Sequence, residues 1–575
     1  MMNNISQISR YFLWALFGFV LWLNYVTWQK DYALVDALAQ AAAQHPSANA
    51  LNAVPGAASA SGTVATGAPG ISAPAAATTA PATGSFDALT QGFGGDAVRV
   101  HTDVLDLTLS LKGGTITQVD LPVYAKVKGK PERVRLENHD SADTLYVLET
   151  GLTGPAGEER PNQQTVFTAD KGEYTLAKGQ DALRVPLHWT AGGVTVTKEY
   201  VFHRGSYAVG IDQTINNQSA ASWTAAPYAQ ILRNHIPEHS SMFNPNPERF
   251  AFNGPAIWDG SKYRKLKLSD QDDAHLSQDV TTGWIAALQH HFVSAVVPPK
   301  GVPFRFTMQA QANEFALAAS GPTTTVPAGG SVTLPLTVFV GPKLQAQLAT
   351  TGPQLQRVTD FGHLFFIAQP LFWALSKVYD WSHNWGVAIL IVTLLLKLLF
   401  YPLSEASGKS MAKMRELGPR IKNLQEQYKD DREKLGRATM ELYSKEGANP
   451  VSGCLPILIQ MPVFFAFYWV LQESVEMRQA PFMGWLQDLS APDPFFILPI
   501  LMAAAMFVQQ KLNPAPADPV QAKVMMFMPI GMSALFMFLP SGLVLYYVAN
   551  TVLGIAQQWN INRRIHAAAL AKKRN

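Results

Sequence analysis

Long apolar runs in the last third of the chain constrain its fold more than any other feature. A run of roughly 17–25 apolar residues can cross the hydrocarbon core of a bilayer as a helix. Residues 11–28 form a further run of 18 uncharged residues near the start of the chain. We therefore predict a multi-domain membrane protein with an N-terminal transmembrane anchor at 1–30 and an α-helical bundle of five core transmembrane helices. The core helices are predicted at 385–402, 454–471, 495–510, 523–540 and 541–560.

Composition agrees with a membrane protein, because 48% of the residues are hydrophobic and only 15% are charged. A cleaved signal peptide is the alternative for residues 11–28, but the length and aromatic content of the run favour an uncleaved anchor. The formal net charge is +3, so nucleic-acid binding would need local clusters of basic residues. One cysteine, Cys454, excludes an internal disulfide framework.

The region between the anchor and the core helices changes character twice. Residues 31–97 include "GAASASGTVATGAPGISAPAAATTAPATG", a composition typical of a disordered linker. Residues 98–345 alternate apolar and polar side chains, as in "VTVTKEYVFHRGSYAVGIDQTINN", and predict a β-sandwich domain. Residues 354–381 end in "LFWALSKVYDW" and predict an amphipathic helix in the membrane interface.

Basic residues predict the orientation in the membrane. Residues 403–450 contain ten Lys or Arg, whereas residues 472–494 contain only Arg478. Cytoplasmic loops carry the excess of positive charge, so we place 403–450 and the basic tail at 561–575 in the cytoplasm. The β domain then lies outside and the N-terminus inside.

Lys397 is the one charge in the interior of the six predicted spans. It lies close enough to a helix end to snorkel to the interface, or it lines a watery cavity between helices. Other polar side chains in the spans would more commonly join helices by hydrogen bonds, yet with Lys397 they suggest a hydrophilic concavity open to the cytoplasm. These candidate groove residues are Thr393, Gln460, Ser533, Tyr546 and Tyr547.

Residues 403–450 are predicted to form a cytoplasmic helical hairpin, because apolar side chains recur there at helical spacing beside a basic face. The hairpin either fixes the topology as a solvated face or forms a docking platform for an acidic partner or a nascent chain. The candidate docking residues are Met411, Met414, Leu417, Arg420, Ile421 and Leu424.

Signals for an enzyme are poor. The "SGKS" at 407–410 resembles the end of a phosphate-binding loop, but Leu403 stands where glycine is required. His290 and His291 lack further residues at metal-ligand spacing, so we expect surface histidines. We predict no catalytic residue, no metal and no cofactor.

Four segments closely resemble the Oxa-type family of membrane insertases in its Gram-negative form. They are "YPLSEASGKSMAKMRELGPRIKNLQEQYKDD", "NPVSGCLPILIQMPVFF", "RQAPFMGWLQDLSAPDPFFILPI" and "FLPSGLVLYYVANTVLGIAQQW". The resemblance implies an insertase and chaperone of the cell inner membrane that receives clients in a hydrophilic groove. It also implies that the β domain is a periplasmic supersandwich and that both termini are cytoplasmic. Lys397 takes a groove position at which the family usually has arginine, and lysine keeps the positive charge but lacks the planar guanidinium.

The resemblance also implies partners. These are nascent membrane proteins, the lipid bilayer, the Sec translocon (SecYEG and SecDF), the ribosome and the signal recognition particle receptor, with no direct contact to DNA. Two other hypotheses remain at this point: a secondary transporter of a small anion that uses Lys397, and a periplasmic glycan-binding or glycan-modifying protein. The absence of a convincing internal repeat speaks against the transporter.

Overall fold

The computed structural model describes residues 96–155, 158–234, 251–428, 431–447, 450–512 and 519–574. The predicted anchor and all but the end of the predicted linker lie outside the described residues. The described residues belong to two compact units, one ending at Thr359 and the other beginning at Asp360. Each unit has its own apolar core.

The first unit is built from β-strands whose side chains alternate between the interior and the surface. In "VTVTKEYVFH", for example, Val194, Val196, Lys198 and Tyr200 are all buried. The strands are β1 (Ala97–His101), β2 (Asp106–Ser110), β3 (Thr115–Ala125), β4 (Arg133–Arg135), β5 (Tyr146–Thr153), β6 (Thr168–Ala169), β7 (Glu173–Thr175), β8 (Ala182–Ala191), β9 (Val194–His203), β10 (Ala208–Asn217), β11 (Trp223–Asn234), β12 (Gly254–Trp258), β13 (Tyr263–Lys265), β14 (Ser277–Val280), β15 (Trp284–Leu288), β16 (Phe292–Val297), β17 (Phe304–Gln311), β18 (Glu314–Ser320), β19 (Thr324–Val326) and β20 (Ser331–Pro342). Two short helices accompany them, α1 (Gln271–Ala274) and α2 (Gln345–Thr351).

Among the described residues these strands form an eleven-stranded and a nine-stranded sheet. The larger sheet has the order β14-β17-β18-β11-β5-β3-β2-β1-β7, with β19 beside β11 and β4 beside β3. The smaller sheet has the order β13-β12-β15-β16-β20-β10-β9-β8-β6. Side chains from both sheets meet in one apolar core, so the unit is a β sandwich, as the alternating pattern predicts.

The interior of the sandwich also holds charged side chains. Lys198 is 0% exposed, and its ammonium donates to the carbonyl oxygens of Gly113 at 2.6 Å and Thr150 at 2.7 Å. Burial lowers the pKa of Lys198 to about 7. Burial likewise raises the pKa values of Glu137 and Glu149 to about 7. These groups are accommodated because each has hydrogen-bond partners inside the domain.

The prediction that His290 and His291 are surface residues is wrong. Each is only 5% exposed, and their rings stack with centroids 3.8 Å apart. They form the turn between β15 and β16, two strands that are buried along their whole length. The turn is drawn into the protein, and the backbone N–H of Lys343 donates to the carbonyl of His291 at 2.9 Å.

The second unit is helical. Its helices are α3 (Phe365–Ser382), α4 (Trp385–Leu399), α5 (Tyr401–Glu416), α6 (Gly418–Gln427), α7 (Arg432–Lys445), α8 (Pro450–Glu473), α9 (Ile497–Leu512), α10 (Pro519–Phe536) and α11 (Ser541–Arg574). Helix α3 begins at Phe365 rather than at 354, and it packs on α4 and α8. Helix α11 packs on α4, α5 and α9.

We compared the length and hydropathy of the described helices with those needed to span a membrane. No described helix meets both criteria for a span by itself, although α4 and the first part of α5 meet them together across a bend of 60°. Ile497–Leu512 and Lys523–Phe536 are shorter apolar helices. The number of five core spans therefore stays a prediction.

Candidate functional site

The N-terminal end of α4 fixes the helix that carries Lys397. The side chain of Asn384 accepts a hydrogen bond from the backbone N–H of Val387 and donates one to the carbonyl of Phe482 at 2.8 Å. Beside it, a Cβ atom added to Gly386 would lie 2.0 Å from the Phe482 ring, so only glycine leaves room for that ring. Helix α4 is thus capped and packed at one end, with Lys397 in the last turn at the other.

Lys397 extends into the helical bundle. A Cβ atom added to Gly554 on α11 would lie 3.5 Å from Lys397 Nζ and 3.3 Å from Nε2 of Gln509 on α9. Residues from three helices therefore meet at one point. Among the described residues Lys397 has neither an ion pair nor a hydrogen bond.

Thr393 and Ser533, two of the predicted groove residues, make hydrogen bonds within the bundle. Thr393 is 1% exposed, and its hydroxyl donates to the carbonyl of Ile389 at 2.6 Å, one turn back along α4. The hydroxyl of Ser533 on α10 donates to the carbonyl of Pro499 on α9 at 2.7 Å. Gln460 is half-buried on α8. The Thr393 hydroxyl thus bonds to its own helix, and the Ser533 hydroxyl joins α10 to α9.

Tyr546 and Tyr547 belong to an aromatic cluster. The ring of Tyr546 stacks on Phe467 with centroids 4.3 Å apart and planes 12° from parallel. Tyr547 meets Phe464 edge-on at 5.9 Å and lies 5.1 Å from Phe536. These contacts join α8, α10 and α11, so both tyrosines contribute to packing of the bundle.

Sequence reasoning missed the amide of Gln509 near Lys397. It also missed Gln510 on α9 and Gln557 on α11, whose Oε1 and Nε2 atoms, respectively, are buried without a hydrogen-bond partner in the described part of the protein. The signal that could have found them is the pair of polar amides at the end of each apolar run, "VQQKL" and "AQQWN".

The predicted docking residues lie on α5 (Met411 and Met414), on α6 (Arg420, Ile421 and Leu424) and, for Leu417, between these two helices. Leu417 and Ile421 are buried, and they pack with Met414, Leu442 and Tyr443. These contacts join the end of α5 and helix α6 to helix α7. Arg420 is exposed and pairs with Glu446 at 2.6 Å, and Leu424 is half-buried, whereas the side chain of Met411 lies outside the described residues. The docking role of the stripe stays a prediction.

The outward faces of α9 and α10 are apolar. Their exposed large side chains are Ile500, Leu501, Phe507, Val508, Val524, Met526, Phe527, Met528, Ile530 and Leu535. Exposed apolar side chains in this number suit contact with lipid or another apolar segment. No group of three or more potential metal ligands occurs among the described residues.

An apolar helical bundle that encloses a cation and several amides, in one chain with a β sandwich, defines a membrane protein with a separate extramembranous domain. The profile of the family described as "60Kd inner membrane protein" matches residues 377–568, and that of the "YidC periplasmic domain" matches residues 97–374. The chain belongs to the YidC family of membrane protein insertases.

Proteins of the same family are similar in sequence over most of the chain. A protein named membrane protein insertase YidC from Methylococcus capsulatus is 46% identical over 476 residues, which cover 82% of this chain and 86% of that protein. One of the same name from Stutzerimonas stutzeri is 41% identical over 565 residues, which cover 98% and 99%. A crystal structure described as an active YidC insertase covers 80% of this chain and 92% of its own, with 19% identity and a TM-score of 0.36.

Proposed function

We propose that this protein inserts integral membrane proteins into the cell inner membrane and helps them to fold. The observation that carries the proposal is Lys397, a half-buried cation that points at Gly554 and Gln509 inside the bundle and has no described counter-ion. A snorkelling lysine would instead reach outward to the interface. Family membership supports the same activity.

The mechanism follows from the cost of carrying polar groups through hydrocarbon. Each unpaired backbone group costs several kcal/mol there, so a client's hydrophilic flank needs a solvated path. The amides and the cation would shorten the dry part of that path from the cytoplasm. The client's apolar segment would meanwhile slide along the exposed faces of α9 and α10 into lipid. Neither step requires covalent chemistry or a nucleotide.

Within this proposal Lys397, Thr393, Gln460, Ser533, Tyr546 and Tyr547 line or support the groove. The proposed topology places the β domain in the periplasm, and residues 403–450 and both termini in the cytoplasm. Nascent membrane proteins are the clients, and the Sec translocon, the ribosome and the signal recognition particle receptor are further proposed partners.

The proposal is tested by depleting the protein from cells and following the insertion of small inner-membrane proteins by protease protection. We expect these proteins to stop inserting. Unchanged insertion after complete depletion would contradict the proposed function.

The cytoplasmic hairpin is proposed to present a docking surface that its apolar stripe holds in shape. Replacing Met414 and Leu417 together by Asp should unfold the hairpin, because burial of each side chain contributes about 1.5–3 kcal/mol. Normal insertion by this double variant at wild-type abundance would show that the folded hairpin is not needed.

A further inference from the structure

The hairpin formed by the end of β3, the following turn and β4 combines basic and exposed apolar side chains. We call residues 123–135 the basic hairpin. We propose that it binds the phosphate groups of anionic lipids and so holds one end of the β sandwich on the surface of the inner membrane. The inference goes beyond insertion, because no client takes part in it.

Positive charge is concentrated in this hairpin. It contains five basic residues and one acidic residue, whereas residues 96–359 as a whole contain 23 Lys or Arg and 24 Asp or Glu. A second basic segment, residues 262–267, does not have the same character. Residues 259–273, which include it, contain four basic and four acidic residues, so its charge is offset locally.

The basic hairpin also exposes apolar side chains. Among the described residues of the β sandwich three large apolar side chains are exposed, namely Val123, Val127 and Val166. Two of the three belong to the hairpin, and Val127 lies between Lys126 and Lys128. Apolar side chains flanked by Lys and Arg are typical of segments that lie in the interface of an anionic bilayer.

The backbone holds the turn in a defined shape. The N–H of Lys126 donates to the carbonyl of Glu132 at 2.8 Å, and the N–H of Lys130 donates to the carbonyl of Val127 at 3.0 Å. The Lys126 side chain pairs with Glu132 at 3.0 Å. The side chains of Lys130 and Arg133 are exposed and have no ion pair within the described residues. At least two cations are therefore available to an external anion.

The hairpin lies at the end of the sandwich where the chain leaves it. The ring of Tyr124 meets that of Phe292 edge-on at 5.7 Å, and Phe292 pairs with Pro342 at the end of β20. The next residue, Lys343, accepts a hydrogen bond from the hydroxyl of Thr359 through its carbonyl. Thr359 is the last residue of the unit. The covalent connection to the helical unit therefore limits how far this end can move from the membrane.

The ligand chemistry follows from the cations and the valines. A lipid phosphate offers a negative charge and oxygen acceptors to an ammonium and a guanidinium. Each Lys or Arg near an anionic membrane surface strengthens binding about fivefold. An acidic protein segment would match the cations alone, whereas a bilayer surface offers phosphates and apolar groups together. The exposed valines therefore favour lipid.

A dye on the hairpin reports contact with the bilayer. Val127→Cys and, as a matched control, Val166→Cys are labelled with a fluorophore in a Cys454→Ala background, which has no other cysteine. Val166 is also exposed, but it pairs with Lys112 just before β3. The eleven residues of β3 separate the two labels by roughly 33 Å. In proteoliposomes of the full-length protein with phosphatidylglycerol and a nitroxide on the lipid headgroup, we expect quenching at 127 and little at 166.

Charge reversal tests the role of the cations. Lys130→Glu is compared with Lys300→Glu, because both lysines are exposed, lie in turns and have no ion pair among the described residues. Lys300 lies beyond the end of β16 that is opposite Phe292. Lys130→Glu should lower the ratio of bound to free hairpin by at least about tenfold. Lys300→Glu and Lys130→Arg should leave it unchanged, whereas high salt should act like Lys130→Glu because exposed charges are screened.

Equal quenching at positions 127 and 166 would overturn the inference, and so would quenching at 127 that persists without phosphatidylglycerol or in Lys130→Glu. If the purified protein shows no quenching at 127 but Lys130→Glu abolishes a crosslink from Val127→Cys to a protein in native membranes, the hairpin binds an acidic partner and the inference is wrong. The dye measurement involves no client. A failure of the proposed insertase function would therefore leave its result unaffected.

Discussion

The β sandwich and the helical bundle each contain a lysine in an apolar environment, but they treat it in opposite ways. Lys198 is completely buried, and two backbone carbonyls accept from its ammonium. Lys397 is half-buried and has no described acceptor. The ammonium of Lys198 is hydrogen-bonded within the domain, whereas the N–H groups of Lys397 have no acceptor among the described residues.

The difference teaches how to separate a structural cation from a functional one. A buried donor that lacks a partner costs about 1–3 kcal/mol, so a fold normally supplies an acceptor. Lys198 follows this rule and also lies 4.9 Å from the Phe167 ring centroid. Lys397 departs from this rule among the described residues, which is expected where the missing partner arrives with a client.

The largest expected effect comes from reversing the charge in the bundle. Lys397→Glu should lower insertion of clients with acidic tails by at least roughly tenfold, because like charges repel in a medium of reduced dielectric constant. Lys397→Arg should keep full activity, since position and charge are retained. The measurement is protease accessibility of matched acidic and neutral clients in depleted cells.

Lys198→Met provides the control in the other region. It should lower the free energy of unfolding of the β domain by about 1–3 kcal/mol, because the carbonyls of Gly113 and Thr150 lose their donor. The acidic-to-neutral insertion ratio should not change. A client-selective defect in Lys198→Met, or none in Lys397→Glu, would break the contrast between the two lysines.

Much of this contrast could be predicted from local patterns. Alternation in "VTVTKEYVF" places Lys198 on the same face as Val194, Val196 and Tyr200, so its burial follows from period two. The apolar run around Lys397 singles that residue out in the same way. Local sequence patterns therefore predict both the β sandwich and the unusual position of Lys397.

What remained hidden depends on contacts between distant segments. Lys397, Gln509 and Gly554 are brought together only by the packing of α4, α9 and α11, which no local period specifies. The burial of His290 and His291 likewise depends on the strands that flank their turn. These positions depend on tertiary packing, so local sequence patterns could not predict them.

A smaller effect concerns the pH dependence of the β domain. Glu137 and Glu149 have pKa values raised from 4.5 to about 7 by burial. The folded state therefore binds more protons than the unfolded state between pH 4.5 and 7, and the free energy of unfolding should fall as the pH rises through this range. The loss should reach up to about 3 kcal/mol for each carboxyl group.

Lys198 should make the free energy of unfolding rise with pH above neutrality. Its pKa is lowered from 10.5 to about 7, so the unfolded state binds more protons between these values and stability should rise with pH. Urea unfolding of residues 96–359 at several pH values should thus show a minimum near neutrality. Glu149→Gln should reduce the fall in the free energy of unfolding between pH 4.5 and 7. A maximum of that free energy at pH 7 would contradict the proposed effect of the buried Glu and Lys side chains.

The smallest effect on insertion is expected from removing the whole β domain, because the proposed groove lies entirely in the second unit. The position of the cut decides whether this test is fair. A deletion that stops at residue 330 would leave β20 (Ser331–Pro342) without β10 and β16, its partners in the sheet. An unpaired strand edge promotes aggregation, so that variant should lose function for a trivial reason.

Deleting residues 97–359 removes β20 together with its partners and keeps α3 and the bundle intact. We expect this variant, joined to the N-terminal segment by a flexible linker, to insert acidic and neutral clients nearly as well as the full-length protein. Lys397→Glu introduced into it should produce the same client-selective loss as in the intact chain. If the clean deletion is stable and abundant yet inactive, the β sandwich takes part in insertion, and the assignment of all client binding to the bundle is wrong.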